Sequence, residues 1–554
     1  MNIFQQTLNK LNAPLSASEK AEISINNLEK NFSSGKHMPA MMYSGGKDSS
    51  VSASLALVAW KRACDKNQDL KKIPFLIISI DTKTEQPVKQ SYVGGEFESF
   101  KKFAAENNFN LFIETPSPSI GNRWAGKVVG GIYRNFSTET SKDHKCAIIW
   151  KIQTAARCLK TWEKRLSEIG LSVLQIVGSR HDESKHRAAS LDKFGVNSYS
   201  IVPPTGGAVK YNTVYPVYDF TQDDIWNYLL FAENSDGAKF PAIKDGFDST
   251  VSLYNDLAGG ECSLNDQGGA TCAGSRDGCW LCFASNKEYI DLSLLTTNPH
   301  VAPLAELRRF MLLNDRNAAL RNYIQTATDK GKLFLKYNPN GLCGKYLLKI
   351  LEIGLTIQER EKERAALVAD AVERGTYIPV NGKTLDKPTF TIFEPEDILF
   401  IDLQWALRGL QLEPHAALKA YKRIVIDGER VEIPDGYLLD ENIVSNLEIH
   451  GKIYLGEVEN SDSESIDEII SEDMLSNGGW DADISICKAI LSEDVITSWI
   501  NTSTSFVKGV ERILESGAIS LPKAQQKAVK TRLGIVDRIY NAGLNKTAFN
   551  GGTA

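Results

Sequence analysis

The residues best suited to chemistry near the start of the chain form a short loop, Ser44-Gly45-Gly46-Lys47-Asp48-Ser49-Ser50. Two adjacent glycines let the backbone approach an anion closely, and the amide groups that open the following helix point toward it. Lys47 adds a positive charge, and Asp48 and Ser49 suit the first turn of a helix. The loop therefore predicts a phosphate site. It is not a Walker A motif, because position 41 is Met and Asp follows Lys47.

Three cysteines in a C-x6-C-x2-C pattern form a second group suited to chemistry: Cys272, Cys279 and Cys282. Hydrophobic packing does not explain this spacing, whereas two thiolates at C-x2-C readily share one metal ion or cluster. A fourth ligand is needed, and Cys146 and Cys262 are the candidates. The spacing alone fits zinc and an iron–sulfur cluster equally well.

Polar residues also follow two other apolar segments. Asp81 and Thr82 come directly after the segment 73–80. The segment 173–177 is followed by a glycine, two arginines, a glutamate and a serine, namely Gly178, Arg180, Glu183, Ser184 and Arg187. Arginine forks match phosphate or sulfate oxygens and stay charged. We expect these side chains to contact a ligand, since open α/β sheets bind ligands beyond the carboxyl ends of their strands.

The elements that must position these residues alternate between strands and helices. Apolar runs predict strands at 37–43, 73–80, 111–113 and 173–177, and the segments between them predict helices at 51–64, 91–107 and up to 164. This alternation predicts an α/β fold with a doubly wound parallel sheet. The segment 116–144 is rich in Gly, Ser and Thr, and we interpret it as a substrate loop more than a core element.

Composition restricts the classes of protein that the chain can represent. The hydrophobic fraction of 42% and charged fraction of 24% are typical of a soluble globular protein. No apolar run is long enough to span a membrane, and the first residues lack a signal-peptide core, so we expect a cytoplasmic protein. Nine cysteines then indicate metal or redox chemistry rather than disulfides. A net charge of −6 gives no overall attraction to nucleic acid, so any DNA contact requires a local patch or a partner.

With 554 residues, the chain is too long for a single core. We predict a helical lead-in, a nucleotide domain, a cysteine-rich insertion, a helical or mixed accessory domain, an acidic linker and a C-terminal helical region, at 1–36, 37–235, 236–295, 296–456, 457–483 and 484–554. Within the largely helical C-terminal half, we predict helices at 306–328, 355–372 and 396–409, and β-like runs at 389–393 and 423–426.

The quoted motifs resemble those of a known family. The S-G-G-K-D-S loop resembles the signature of the PP-loop ATP pyrophosphatases, in which it holds the pyrophosphate end of ATP. The element G-x-R-x-x-E-S-x-x-R is similar to one in the phosphoadenosine phosphosulfate (PAPS) reductase branch, and the segment 215–229 resembles a second element of that branch. The resemblance implies that ATP is cleaved between its α and β phosphates, giving AMP and pyrophosphate.

The cysteine pattern narrows this resemblance to the DndC proteins of bacterial DNA phosphorothioation and their SspD relatives, over roughly residues 37–290. The D-T-x-x-E-x-P element that begins at Asp81 also resembles DndC. The resemblance implies a [4Fe–4S] cluster, with zinc as the alternative occupant, held by Cys146, Cys272, Cys279 and Cys282. It also implies a cysteine desulfurase as the sulfur donor, other DNA-modification subunits as partners, and the DNA backbone as the acceptor.

The resulting hypothesis assigns roles to the loop and the strand ends. Catalysis is assigned to Lys47, Asp48, Arg180 and Arg187. ATP binding is assigned to Ser44, Gly45, Gly46, Lys47, Asp48, Ser49, Asp81, Thr82, Gly178, Glu183 and Ser184. Mg²⁺ is expected to bridge the phosphates, with Asp48 as a candidate ligand directly or through water.

Two alternatives remain open. The first is a PAPS or adenosine phosphosulfate reductase. Those enzymes rely on a catalytic Glu-Cys-Gly-x-His segment near the chain end, whereas the last 60 residues here contain no cysteine. Glu261-Cys262 resembles that segment only weakly. The second is a zinc-stabilised nucleotide-binding module that acts as a scaffold in a larger complex.

Overall fold

The computed structural model describes residues 15–133, 146–183, 188–189, 191–192, 196, 200–204, 210–231, 250, 253–254, 279–281, 283, 295, 298–329, 332–379, 384–436, 438, 453–457, 479–503, 505–521 and 523–551. Within those residues, no helix is long and apolar enough to cross a membrane.

A five-stranded parallel sheet organises the N-terminal half. Its strands are β1 (His37–Met42), β2 (Phe75–Ile78), β3 (Leu111–Glu114), β4 (Ser172–Val177) and β5 (Asn212–Val214). The order across the sheet is β3-β2-β1-β4-β5, and every neighbouring pair is parallel. The chain therefore extends the sheet first on one side of β1 and then on the other.

Helices cover both faces of this sheet. They are α1 (Ala17–Phe32), α2 (Lys47–Lys66), α3 (Pro87–Glu106), α4 (Gln153–Ser167) and α5 (Gln222–Phe231). Alternate strand residues point to opposite faces. Met41 and Ile77 pack with α1, α2, α3 and α5, whereas Met38 and Leu76 pack with α4. This arrangement confirms the predicted doubly wound α/β fold.

The C-terminal half is largely helical, as predicted. Its helices are α6 (Ala302–Asn314), α7 (Gly344–Glu373), α8 (Pro395–Arg408), α9 (Ala416–Tyr421), α10 (Ile484–Ile490), α11 (Glu493–Thr502), α12 (Phe506–Glu515), α13 (Lys523–Asn541) and α14 (Asn545–Asn550). Two antiparallel sheets accompany them, formed by β6 (Arg321–Asp329), β7 (Lys332–Leu342) and β8 (Ile453–Glu457), and by β9 (Asp481–Ala482) with β10 (Ile519–Ser520).

Three local predictions in this half are wrong. The predicted helix 306–328 ends at Asn314, and Arg321–Asp329 instead pairs with β7 as a strand. The run 389–393 forms no strand, and 423–426 belongs to a π-helical turn, Lys422–Ile426. Pairing across a sheet overrides local helix propensity in the first case. The predicted linker lies mostly outside the described residues, at 458–478.

The segment predicted as a substrate loop is part of the core where the structure describes it. Trp124 is 2% exposed and stacks on Phe393, with ring centroids 5.7 Å apart. A Cβ atom at Gly126 would lie 2.9 Å from a ring carbon of Phe400 in α8. The indole Nε1 of Trp405 in α8 donates to the backbone oxygen of Val129 at 2.6 Å. Glycine at 126 therefore permits close packing of this segment on α8.

Candidate nucleotide site

The sheet brings the ends of β1 and β4 together at its topological switch point. Met42 and Val177 are register partners at the carboxyl ends of these strands. The loop Ser44–Ser49 follows β1, and Gly178 follows β4. A Cβ atom at Gly178 would lie 3.0 Å from the Asp48 backbone oxygen, the Ser49 Cα and the Ser52 Oγ. Glycine at this position thus allows the end of β4 to contact the first turn of α2.

The predicted phosphate loop, residues 44–50, is a preformed turn and is called the phosphate loop below. Gly45 has φ +70°, and a Cβ atom there would lie 2.4 Å from Val93 Cγ2. The Ser44 and Ser49 hydroxyl oxygens are 3.0 Å apart, and the Ser49 hydroxyl donates to the Gly46 backbone oxygen at 2.8 Å. These contacts hold the loop ahead of α2, with the amides of its first turn at the switch point.

Two cations share one carboxylate in this site. Arg180 is 2% exposed, and its Nε donates to Asp48 Oδ1. Lys47 Nζ lies 3.3 Å from Asp48 Oδ2. Arg180 Nη1 lies 3.5 Å from Asp182 Oδ2 and makes no hydrogen bond with any residue that the structure describes. A buried guanidinium nitrogen without a hydrogen bond is costly for a protein alone and suits an anionic ligand.

The other site residues predicted after β4 are only partly described. Glu183 lies in an exposed 3-10 turn, His181–Glu183. Ser184 and Arg187 lie outside the described residues. The structure therefore places Gly178 and Arg180 beside the phosphate loop and leaves the roles assigned to Ser184 and Arg187 as predictions.

The Asp81 loop, residues 81–86, follows β2 at the same edge of the sheet. Asp81 Oδ1 accepts a hydrogen bond from the Lys83 amide at 2.9 Å, and Asp81 Oδ2 lies 3.0 Å from Lys83 Nζ. The hydroxyls of Thr82 and Thr84 are buried and 3.1 Å apart. Thr82 therefore supports the loop internally, whereas the Asp81 side chain remains 26% exposed.

Two of the four predicted metal ligands, Cys146 and Cys279, lie within the described residues and pack against the same hydrophobic core. Cys279 pairs with Glu85 in an isolated antiparallel bridge. Cys146 immediately precedes the π-helical turn Ala147–Ile152, from which Lys151 Nζ reaches to 3.5 Å from Glu85 Oε1. Cys272, Cys282 and Cys262 lie outside the described residues. Within the described part of the chain, no group of three or more His, Cys, Asp and Glu side chains forms a metal site.

Four other cysteines are placed like ordinary core thiols. Cys64, Cys343 and Cys487 are buried, and Cys158 is half-buried on α4. Burial raises the pKa of Cys64, Cys158 and Cys343 to about 11 and that of Cys487 to about 12. These thiols stay protonated at neutral pH and are poor nucleophiles and poor metal ligands.

Tyr254 is in direct contact with the phosphate loop, although no sequence pattern predicts it. The amide of Lys47 donates to the Tyr254 hydroxyl oxygen at 3.0 Å, and Lys47 Nζ lies 5.5 Å from the centre of the Tyr254 ring. The Tyr254 ring also packs edge-on against Trp226, with centroids 5.4 Å apart. No motif surrounds Tyr254, so only the fold reveals this contact.

An open parallel sheet with a glycine loop and two cations at its switch point defines an α/β protein of the nucleotide-binding class. Comparison with protein families supports this class, because residues 38–235 match the model of the phosphoadenosine phosphosulfate reductase domain. The matched region includes the phosphate loop, the Asp81 loop and Arg180, and it supports an enzyme that uses nucleotides. No curated protein matches the chain.

Proposed function

We propose that the protein is an ATP pyrophosphatase of the DndC and SspD type, which activates an acceptor by adenylation. The observation that carries this proposal is the environment of the Arg180 side chain. Its buried guanidinium group lies beside the phosphate loop with Nη1 lacking a hydrogen bond among the described residues, while Asp48 holds Nε. This geometry fits a polyphosphate that approaches from the loop side.

In the proposed reaction, an acceptor oxygen attacks the α-phosphorus of ATP and the bond between that phosphorus and the α–β bridging oxygen breaks. Pyrophosphate leaves with the bonding electron pair, and the acceptor becomes an adenylate. Lys47 and Arg180 offset the negative charge that develops on the leaving pyrophosphate. Asp48 orients both cations, since each of its oxygens faces one of them. Mg²⁺ would supply additional charge compensation at the phosphates.

We extend this proposal to sulfur incorporation into the DNA backbone, on the resemblance of the cysteine pattern to DndC. The two described cysteines of the predicted [4Fe–4S] ligand set, Cys146 and Cys279, pack against the same hydrophobic core, and Cys279 pairs with Glu85 at the end of the Asp81 loop. With Cys272 and Cys282 they would hold the cluster that the resemblance implies. A cysteine desulfurase and other DNA-modification subunits are the proposed partners, and DNA is contacted through them.

The test is to incubate anaerobically purified full-length protein with ATP and Mg²⁺ and to separate the products. In the absence of another acceptor, water attacks the α-phosphorus, and we expect AMP and pyrophosphate. Arg180→Lys should lower kcat/KM about 100-fold, because an ammonium group cannot bond Asp48 and a phosphate with the geometry of a guanidinium fork.

The matched control is Arg62→Lys, which alters a surface pair with Glu22 and should leave turnover unchanged. Release of ADP and phosphate in place of AMP and pyrophosphate would refute the proposal. If the turnover of Arg180→Lys is within twofold of wild type, Arg180 does not contribute to the reaction.

The family match favours a second candidate, a reductase of a sulfonucleotide. Such an enzyme would bind the same phosphates at the same loop, so the substrate decides between the two. Sulfite production from PAPS or adenosine phosphosulfate with a thiol reductant would favour the reductase. Pyrophosphate release from ATP without sulfite production would favour the pyrophosphatase.

A further inference from the structure

Lys83, in the middle of the Asp81 loop, has an unusual backbone conformation. Its φ is +63°, in the left-handed region that residues other than glycine rarely adopt. Such a conformation is unfavourable for a residue with a side chain and persists only where the surroundings enforce it. The contacts of Lys83 therefore indicate what holds this loop in shape.

The contacts come from both halves of the chain. The Lys83 amide and Nζ both bond Asp81, at 2.9 Å and 3.0 Å. Nζ also lies 3.1 Å from Oε1 of Glu394, which is 311 residues further along the chain. Burial opposes the charged form of Lys83, but Asp81 and Glu394 outweigh it and raise the pKa of Lys83. The ammonium group is thus held between two carboxylates at neutral pH.

Glu394 occupies a rigid position. It is the N-cap residue of α8, and its own amide donates to Asp397 Oδ2 at 2.9 Å. Arg123 Nη1 ties the same end of α8 to the segment after β3, with Glu396 Oε1 at 2.8 Å and Asp397 Oδ1 at 3.3 Å. The first turn of α8 therefore holds the chain that follows β2 and the chain that follows β3.

We propose that Glu394 is a positioning residue of the nucleotide site, acting through Lys83 on Asp81. The nucleotide as ligand rests on the function proposed above, whereas the clamp on the loop rests on the contacts alone. Through this clamp, the C-terminal half shapes the nucleotide site without contacting the nucleotide. In this proposal Asp81, rather than Glu394, contacts the nucleotide, because Asp81 follows β2 at the edge of the sheet where the phosphate loop lies.

The first experiment measures the clamp without reference to any ligand. Amide hydrogen exchange of the peptide containing residues 81–86 is compared in wild type, Glu394→Gln, Glu394→Asp and Glu432→Gln. Glu394→Gln should exchange about 3- to 10-fold faster, because a partly buried ion pair that enforces the strained conformation is lost. Glu394→Asp keeps the charge and should recover part of the protection.

Glu432→Gln is the matched control, since Glu432 pairs with Arg360 on α7 with a side chain that is 72% exposed. Its exchange in the Asp81 loop should equal that of wild type. Equal exchange in Glu394→Gln and wild type would overturn the proposal. Unchanged thermal melting in Glu394→Gln would show that faster exchange is local to the loop.

The second experiment measures ATP binding and steady-state kinetics. Glu394→Gln should raise the Kd and the KM for ATP about 3- to 10-fold with little change in kcat, because the residue orients a binding loop. Lys83→Asn combined with Glu394→Gln should be little worse than Lys83→Asn alone, since the pair between Lys83 and Glu394 is already lost in that variant. Asparagine tolerates the left-handed conformation, so Lys83→Asn tests the charge rather than the backbone.

The two experiments separate the two proposals. If wild-type protein does not bind ATP, the proposed function fails and hydrogen exchange still decides whether Glu394 holds the loop. If wild type binds ATP and Glu394→Gln loosens the loop without changing the Kd, the clamp exists but does not position the nucleotide site. That result would overturn the positioning role alone.

Discussion

At the scale of single residues, the site is organised by charge pairing around Asp48. Its two oxygens face Arg180 and Lys47, so the carboxylate holds two cations on the side of the phosphate loop. A planar guanidinium group that is bonded through Nε can still donate from its Nη nitrogens to a second anion, such as a phosphate group. The arrangement therefore explains why an Asp follows the loop lysine, where a Walker A loop carries Ser or Thr.

The proposed cysteine site leads to a prediction about iron. Cys279→Ser should lower the iron content of anaerobically purified protein to near background and abolish its visible absorbance, because a cluster of this type needs all its thiolate ligands. Iron per chain and the absorbance spectrum are the measurements. If the wild-type protein contains zinc in place of iron, the iron–sulfur cluster is contradicted, whereas a metal site at these cysteines is still supported.

The matched control is Cys158→Ser. Cys158 is also half-buried, but it lies on α4 and burial raises the pKa of its thiol to about 11. Its substitution should leave the iron content unchanged. Equal iron in Cys279→Ser and Cys158→Ser would exclude Cys279 from the ligand set.

The sequence identified the residues that belong to local motifs and missed those that reach the site from elsewhere. Lys47, Gly178 and Arg180 follow apolar strands, so their common location follows from the rule that parallel strands end at one edge. Tyr254 and Glu394 have no such local signal. Their contacts with Lys47 and Lys83 depend on how distant segments fold back, which hydrophobic periodicity does not encode.

At the scale of elements, the site depends on how closely β4 approaches α2. Gly178→Ala should destabilise the protein by about 1–3 kcal/mol, because the new methyl group would contact three atoms of α2 at 3.0 Å and two of them belong to the backbone. To relieve these contacts, α2 would move away from β4. This movement would displace the phosphate loop from Arg180, so the KM for ATP should also rise. Thermal melting and steady-state kinetics measure the two effects.

Gly95→Ala provides the matched control for this substitution. Gly95 lies within α3, and a Cβ atom there would have no neighbour within 4 Å. Alanine has the higher helix propensity, so this variant should be neutral or more stable by up to about 1 kcal/mol. A Gly178→Ala protein that melts like Gly95→Ala would show that β4 and α2 have room to separate.

The predicted strands of the parallel sheet agree with the structure because each is a short apolar run, and the central strands β1 and β2 are buried on both faces. Arg321–Asp329 illustrates the limit of that approach. The residues from 306 onward include many helix formers, yet the chain leaves α6 at Asn314 and pairs with β7. When a segment with local helix propensity forms a strand, pairing with another strand determines its conformation. The propensities of neighbouring residues do not reveal that pairing.

At the scale of the whole molecule, the two halves share a hydrophobic core. Five large apolar side chains from the first 236 residues pack in one core with α7 and α8, namely Ile120, Trp124, Val128, Val129 and Trp150. Burying each contributes about 2 kcal/mol, so together they represent about 10 kcal/mol. That sum is comparable to the net stability of an entire domain.

This shared core predicts that residues 1–236 do not fold alone, even though they contain the complete parallel sheet. The isolated fragment should melt without a cooperative transition and should bind a hydrophobic dye, because Trp124 and Trp150 lose the partners that bury them. Co-expression with residues 237–554 should restore a complex that melts cooperatively, since the missing surface is then supplied in trans. A fragment that melts sharply on its own and gives wild-type near-ultraviolet circular dichroism would show that the sheet stabilises itself. The C-terminal half would then be a separable addition rather than part of the structure that supports the nucleotide site.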